Sequence, residues 1–308
     1  MKKLCSLLLT ALLFIESVGL AIAAAPETMQ EKLDATERAA YGQPQTGALL
    51  DRLAHLEKDF WQASPQKSVV ERTDALYAIM LENEDGPSLV TQMNAVEWAI
   101  TQEVSMESIQ KRVGDMEITL QGRPSEGSYR QRIDALATAA FGSNEIPLVA
   151  GIVPANTLIK VLTVTPINAK NLKAGDRIEF QAAEDVIEGG RLLFAKGAPG
   201  YGTVTKVKQA RNFGRDAEVV IDFQALRAID GTDVEMLLGQ ESKEKMESMA
   251  MAAGASLAGM VLLGPIGIIG GVFIKGKNIN LPAGTELYIQ TKNETSLYGL
   301  STALDSGN

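Results

Sequence analysis

Apolar residues recur through the first half of the chain with a period of 20. Positions 32, 52, 72, 92, 112 and 132 are Lys, Arg, Arg, Gln, Arg and Arg. One residue after each stands Leu33, Leu53, Thr73, Met93, Val113 or Ile133, and four after it Thr36, Leu56, Leu76, Val96, Met116 or Leu136. The positions three before (Met29, Leu49, Val69, Leu89, Ile109, Tyr129) and eight after (Ala40, Phe60, Met80, Ile100, Leu120, Ala140) complete the set. These spacings fall on one face of a 3.6-residue helix. Breakers separate the units, among them Gly42, Pro44, Pro65, Gly86, Pro87, Gly122, Pro124 and Gly127. Each unit therefore reads as one short helix and a connector. Alone it is too short to be stable, so the units must stack and share an apolar seam, as three hairpins or as a compact bundle. An acidic residue recurs at Glu37, Glu57, Glu97 and Glu117. The polar stripe of Arg52, Arg72, Arg112 and Arg132 with Glu57 and Glu117 reads as pairing within each helix.

From Ile146 the period changes to two. Thr157–Thr165, Asp176–Gln181, Tyr201–Lys208, Ala217–Gln224 and Thr232–Met236 alternate or are rich in β-branched residues. Turns at Gly175, Gly189-Gly190, Gly197–Gly200 and Gly231 divide them, which suggests a small antiparallel barrel or sandwich. Val153-Pro-Ala-Asn-Thr-Leu158 echoes Leu281-Pro-Ala-Gly-Thr-Glu-Leu287. The strands that follow them read as the first and last of the barrel, paired to close it. Between them lies an insertion. Glu241–Glu247 is charged and helix-prone, and Ser248–Ile274 is then 27 residues without a charge. That length could cross a bilayer, but Pro265 breaks a single straight span. Small residues at Ala250, Gly254 and Ala258, and at Gly264, Gly267 and Gly271 around Pro265, let helices approach closely. These seven positions are the candidate membrane or oligomerisation contacts.

The N-terminus has its own pattern. Lys2 and Lys3 precede an apolar run from Leu4 to Phe14, and Ala21–Ala25 offers small residues before Pro26. This is the form of a secretory signal peptide over residues 1–25. Cys5 is the only cysteine, so the exported chain has no thiol. His55 is the only histidine and sits at a polar helical position. Zinc sites and Ser-His or Cys-His machinery therefore have little to work with, and no cofactor is expected. The Gly-rich pieces lack the spacing of a phosphate-binding loop. Asp176, Glu184, Asp185 and Asp222 could supply a carboxylate pair for glycan hydrolysis, but each reads more simply as a turn or solvent-face residue. The formal net charge is −9. Residues 26–145 hold 20 acidic and 11 basic groups, and residues 146–308 hold 17 and 16. The acidity thus belongs to the helical half and opposes nucleic-acid binding.

The order of motifs in the second half carries a resemblance. Pro154-Ala-Asn-Thr and a strand come first, then Lys173-Ala-Gly-Asp-Arg-Ile-Glu-Phe180, Leu193-Phe-Ala-Lys-Gly-Ala-Pro199 and a Gly-Thr-Val strand. Arg227-Ala-Ile-Asp-Gly-Thr232, the apolar excursion and Pro282-Ala-Gly-Thr follow. This order resembles the β-barrel domain of TrbI-like scaffold subunits of type IV secretion systems, over about residues 150–291. The resemblance implies a barrel with a helical antenna inserted late in it, reaching toward an outer membrane. The chain departs from that pattern in having a signal peptide instead of a cytoplasmic tail and anchor, and helical repeats in place of a Pro-rich stretch. The "R-L-x-x-L-E" units resemble repeats of bacterial envelope proteins.

These readings make the chain an α+β protein of two domains. A signal peptide (1–25) leads to an all-α repeat domain (26–145). A β-barrel-like domain (146–291) follows, with its apolar insertion at 241–274, and a flexible tail (292–308) ends the chain. The expected role is non-enzymatic: a structural or assembly protein of the bacterial envelope, with no catalytic, cofactor or metal site. It is expected to be exported to the periplasm or cell envelope and to contact envelope proteins, further copies of itself, or a membrane through residues 248–274. The alternative is a soluble periplasmic binding module that docks a protein or polysaccharide through the helical array.

Overall fold

A computed structural model describes residues 26, 28–61, 66–210, 216–252, 262–263, 272–276 and 279–302. The expected signal peptide lies outside these residues. The 20-residue period becomes six helices of equal length. They are α1 (Met29–Tyr41), α2 (Leu49–Trp61), α3 (Val69–Leu81), α4 (Leu89–Thr101), α5 (Ile109–Gln121) and α6 (Tyr129–Phe141), each of 13 residues. Five start on a side-chain cap. Thr28, Ser68, Ser88, Ser108 and Ser128 each accept the backbone N–H three residues on, satisfying a donor the helix leaves unpaired. Gly42, Gly122 and Gly142 end their helices with φ of 88°, 79° and 79°, a left-handed turn that favours glycine.

The positions one and four after the repeat's basic residue are buried in all six helices. The position eight after it is buried at Ala40, Phe60 and Met80 but exposed at Leu120, so the seam narrows toward the end of the array. The units do not form an open stack. α1 packs on α3 and also on α5, and α2 packs on α6. The Phe60 ring lies 5.0 Å from that of Tyr129 and 6.3 Å from that of Tyr41. Of the two arrangements the repeat allows, the compact bundle is the one formed.

The charges of the repeat pair between helices, which corrects the expectation of pairing within each helix. Arg52 donates to Glu37 at 3.0 and 2.6 Å, Arg72 to Glu57 at 2.7 and 2.6 Å, Arg112 to Glu97 at 2.9 and 2.6 Å, and Arg132 to Glu117 at 2.9 and 2.6 Å. Each pair spans 15 residues. The reason is geometric: Arg52 and Glu57 are five apart on one helix, about 140° around it at ~100° per residue, and cannot meet. The same carboxylates also hold the connectors. Glu37, Glu97 and Glu117 accept the backbone N–H of Gln45, Ser105 and Ser125, eight residues downstream, at 2.7 to 2.9 Å. One pair is missing on both sides at once: Tyr77 on α3 stands where the acid should be, and Gln92 on α4 where its arginine should be.

The second half holds strands β1 (Leu148–Val153), β2 (Leu158–Thr163), β3 (Ile167–Asn168), β4 (Arg177–Ala182), β5 (Val186–Glu188), β6 (Arg191–Phe194), β7 (Pro199–Lys208), β8 (Ala217–Arg227) and β9 (Asp233–Leu237). Helix α7 (Gln240–Ala252), β10 (Leu262–Leu263), β11 (Val272–Gly276), β12 (Asn280–Leu281), β13 (Glu286–Thr291) and β14 (Thr295–Ser301) follow. Six of the strands close an antiparallel barrel in the order β8-β7-β4-β2-β13-β9, with β9 returning to β8. Its interior is filled by Val161, Phe180, Val204, Ile221, Phe223 and Ile289 among others.

The two echoing segments precede β2 and β13, which pair from Glu286↔Leu162 to Gln290↔Leu158, as their likeness suggests. They are not the outermost strands. β1 and β14 pair outside the barrel, in a second sheet ordered β1-β14-β6-β5. The flexible tail expected over 292–308 is therefore corrected over Thr295–Ser301, which is a strand with Leu297 and Leu300 buried. Gly299 carries no side chain, so it interrupts the alternation that would have marked the strand. The insertion begins as the helix α7. Beyond it, the described residues of the apolar stretch are strands, β10 against β11 and β11 against β8.

Glu97→Ala leaves Arg112 buried without its counter-charge. It is expected to cost ~3–5 kcal/mol, read from urea unfolding. Glu117 should govern acid sensitivity. Burial pushes its carboxyl up, but the hydrogen bonds from Arg132 and Ser125 and the charge of Arg132 together outweigh that and hold it below the ordinary carboxylate value. A folded-state pKa below the unfolded one adds stability at neutral pH that is lost as the pH falls through the carboxylate range. The urea midpoint of the parent should drop between pH 7 and pH 3, and Glu117→Gln should shrink that drop.

Candidate functional site

Among the described residues, α4 is the helix whose face bonds to the β half. On α4 this face carries Thr91, Asn94, Ala95 and Trp98. Every other unit has a charged residue at one or more of the equivalent positions: Glu31, Asp34 and Arg38 in the first, Asp51 and Lys58 in the second, Glu71 and Asp74 in the third, Lys111 and Asp115 in the fifth, Asp134 in the sixth. α4 has none, and it is the helix that docks.

Its partner is the turn between β8 and β9. Asn94 Nδ2 donates to the Ile229 carbonyl at 2.7 Å. Asn83, in the connector before α4, donates to the Asp230 carbonyl at 2.9 Å, and Thr91 Oγ1 lies 2.8 Å from the same oxygen. The Trp98 indole donates to Asp185 at 3.3 Å. Between these polar contacts Ala95 packs with Leu192, Ile229 and Leu300, flanked by Phe141, Ile146 and Leu148. The repeat's own ion pair reaches into the dock, because Arg112 donates to Asn94 Oδ1 at 2.8 Å while holding Glu97. The first unit makes the equivalent contact with an acid, Arg52 to Asp34 at 2.6 Å. An aspartate accepts but cannot donate, so the amide at position 94 is what lets this unit grip a carbonyl as well.

The turn is fixed from within. Asp230 accepts the backbone N–H of Thr232 and of Tyr298, each at 2.9 Å. Burial pushes its carboxyl up, and those two donors pull it the other way. A cleft of about 330 Å³ opens beside the dock, lined by Arg38, Asn94, Met106, Ile109, Arg227 and Asp230 among others. Its lining offers apolar surface with a few polar groups.

The sequence-predicted sites fall elsewhere. Ala250 belongs to α7, while Gly254, Ala258, Gly264, Pro265, Gly267 and Gly271 lie outside the described residues. His55 is largely exposed and lies 3.2 Å from Asp59. Of the four candidate carboxylates, Asp176 accepts the Lys173 N–H, Glu184 is exposed, Asp185 accepts from Lys196 and Trp98, and Asp222 sits on β8 with its carboxyl pushed up by burial. Among the described residues, no three His, Cys, Asp or Glu side chains are placed to hold a metal ion. No helix among them is long and apolar enough to cross a membrane. The docking face is absent from the sequence expectations, although its signal is there: a repeat unit with no charge at four positions that are charged elsewhere.

No family model matches the chain, and no curated protein does. Among solved structures, ComB10 of the Com type IV secretion system of Helicobacter pylori is similar, at 15% identity over 46% of this chain and 88% of its own, with a TM-score of 0.26. The chain is thus weakly similar to a type IV secretion protein. A likeness this low carries no argument about what the chain does.

Asn94→Asp removes the donor to Ile229 and sets a carboxylate against that carbonyl. It is expected to destabilise the dock by ~1–3 kcal/mol. Limited proteolysis between residues 142 and 147 should accelerate. Gln110→Glu, an exposed substitution on α5, should leave the rate unchanged.

Proposed function

We propose that this protein is a non-enzymatic structural or assembly component of the bacterial cell envelope, exported by residues 1–25. In this reading residues 248–274 contact a membrane or further copies of the chain. The observation that carries the proposal is how the uncharged insertion is rooted. It leaves a barrel whose interior is already packed with side chains, and both of its roots are fastened to the barrel wall.

At the first root, Ser242 N and Oγ both lie within 3.2 Å of Gln290 Oε1 on β13, and Met246 packs against the barrel core. At the second, β11 runs antiparallel to β8 from Val272↔Ile221 to Gly276↔Ala217. From Ser248 to the second root stand apolar and small residues with no charge. Such a stretch gains free energy when it leaves water, against lipid or against another protein. Fixed roots are what a protein needs if that contact is to hold the rest of the molecule in place.

The test replaces Ser248–Ile274 with a short Gly-Ser linker, followed by cell fractionation and sedimentation of the purified protein. The shortened chain should leave the membrane pellet or drop to a smaller assembly. If it stays membrane-bound and equally oligomeric, the proposal is wrong. Complete release of the intact protein by high salt would favour a soluble binding module instead.

A further inference from the structure

We infer that the outer face of the barrel carries a carboxylate-binding pocket centred on Tyr201. This site is separate from the insertion and does not depend on its role.

Tyr201 is 7% exposed, and among the described residues its hydroxyl has no hydrogen-bond partner. A buried hydroxyl normally has one, so this donor calls for an acceptor that the chain does not supply. Tyr201 lines a cavity of about 240 Å³ together with Arg177, Glu179, Pro199, Arg227 and Asp233.

The local backbone is built to present that ring. Tyr201 stands between Gly200 and Gly202 on β7. A Cβ at Gly200 would lie 2.2 Å from the Phe180 ring, and one at Gly202 would lie 2.5 Å from the Asp222 carbonyl. The register of β7 against β8 shifts between Tyr201 and Gly202, a bulge that re-aims the side chain beside it.

The surroundings select the ligand's charge. The Arg177 guanidinium lies 4.3 Å from the centre of the Tyr201 ring, and Arg227 shares the cavity wall. Carboxylates anchor both to that wall: Asp233 accepts from Arg227 at 2.9 and 3.2 Å, and Glu179 lies 3.6 Å from Arg177. A guanidinium has five N–H donors, more than one carboxylate takes up, so an anchored arginine can still meet a second anion. Burial pushes the Tyr201 phenol above its ordinary pKa, so it stays protonated and donates. A phenol O–H beside a planar guanidinium suits an oxygen pair of one negative charge. Val164 and Pro199 give the rest of the ligand an apolar wall. The volume suits a single side chain or a small organic acid, so the carboxylate could belong to a partner protein's Asp or Glu or to a free molecule.

Calorimetry on the full chain separates these sources. The probes are sodium benzoate, its neutral counterpart benzamide, and the peptide acetyl-Gly-Glu-Gly-amide. Benzoate alone binding points to a free acid, and peptide binding points to a protein side chain; either supports the inference if Tyr201→Phe weakens it about tenfold, the loss of one charged hydrogen bond. Tyr201→Phe removes only an unmatched hydroxyl, so its urea midpoint should equal or exceed the parent's. Arg177→Lys, which keeps the charge but loses the planar fork, should weaken binding as well. The inference is overturned if neither acid binds at millimolar concentration, if benzamide binds as well as benzoate, or if Tyr201→Phe binds like the parent.

Discussion

One contact organises the helical half: an arginine on each of four helices reaching back 15 residues to a glutamate on the helix before it. Burying a guanidinium and a carboxylate is costly, and the attraction between them offsets that cost only when their hydrogen bonds are also met. Here they are. The glutamate takes two bonds from the arginine and, at Glu37, Glu97 and Glu117, a third from the connector backbone. The pair therefore fixes two things at once: how each helix lies on its predecessor, and how the chain travels between them. Helices of equal length and connectors of equal length let the same clamp recur at the same spacing. Its gain is in specifying one packing among several, since an apolar seam alone would tolerate sliding.

The gap in the ladder is as informative as its rungs. Where Tyr77 and Gln92 replace the acid and the base, neither partner is left as a buried, uncompensated charge. The helix that follows this gap, α4, is the one that faces the barrel. The partners of Thr91 and Asn94 there are backbone carbonyls, to which a hydroxyl and an amide can donate and a carboxylate cannot. The clamp still reaches the dock indirectly, since Arg112 orients Asn94 through its oxygen and leaves the amide nitrogen for Ile229. Asn94, a side chain with both a donor and an acceptor, thus links the ion-pair ladder of the bundle to the dock.

Much of this is legible in the sequence, and the misses have physical causes. The period places every helix, because burial at two positions per unit leaves a strong trace. The pairing of β2 with β13 is legible in the echo of their leading turns. The ion pairs are misread because sequence neighbourhood suggests contact where helix geometry forbids it, and a 15-residue contact depends on the fold of the connector. β14 escapes notice because Gly299 lies against Leu192 and Arg191 without a side chain of its own. The dock escapes because it is written as an absence of charge in one unit, visible only by comparing the six. The Tyr201 pocket leaves no pattern at all, since it joins residues from β4, β7 and β8 that only the closed barrel brings together.

Strand β8 ties these parts into one body. It pairs with β7 along most of its length, with β11 over Ala217–Ile221 and with β9 over Ala225–Arg227. Its first residues therefore hold the second root of the insertion, and its last lead into the turn gripped by α4. Eleven residues of extended strand span ~33 Å at about 3.3 Å per residue and cannot lengthen further. Hydrogen bonds on both sides keep the strand from shifting in register, and a slip of one residue would turn its buried Val219, Ile221 and Phe223 outward. β8 therefore joins the strand that roots the insertion to the turn that the helical bundle grips.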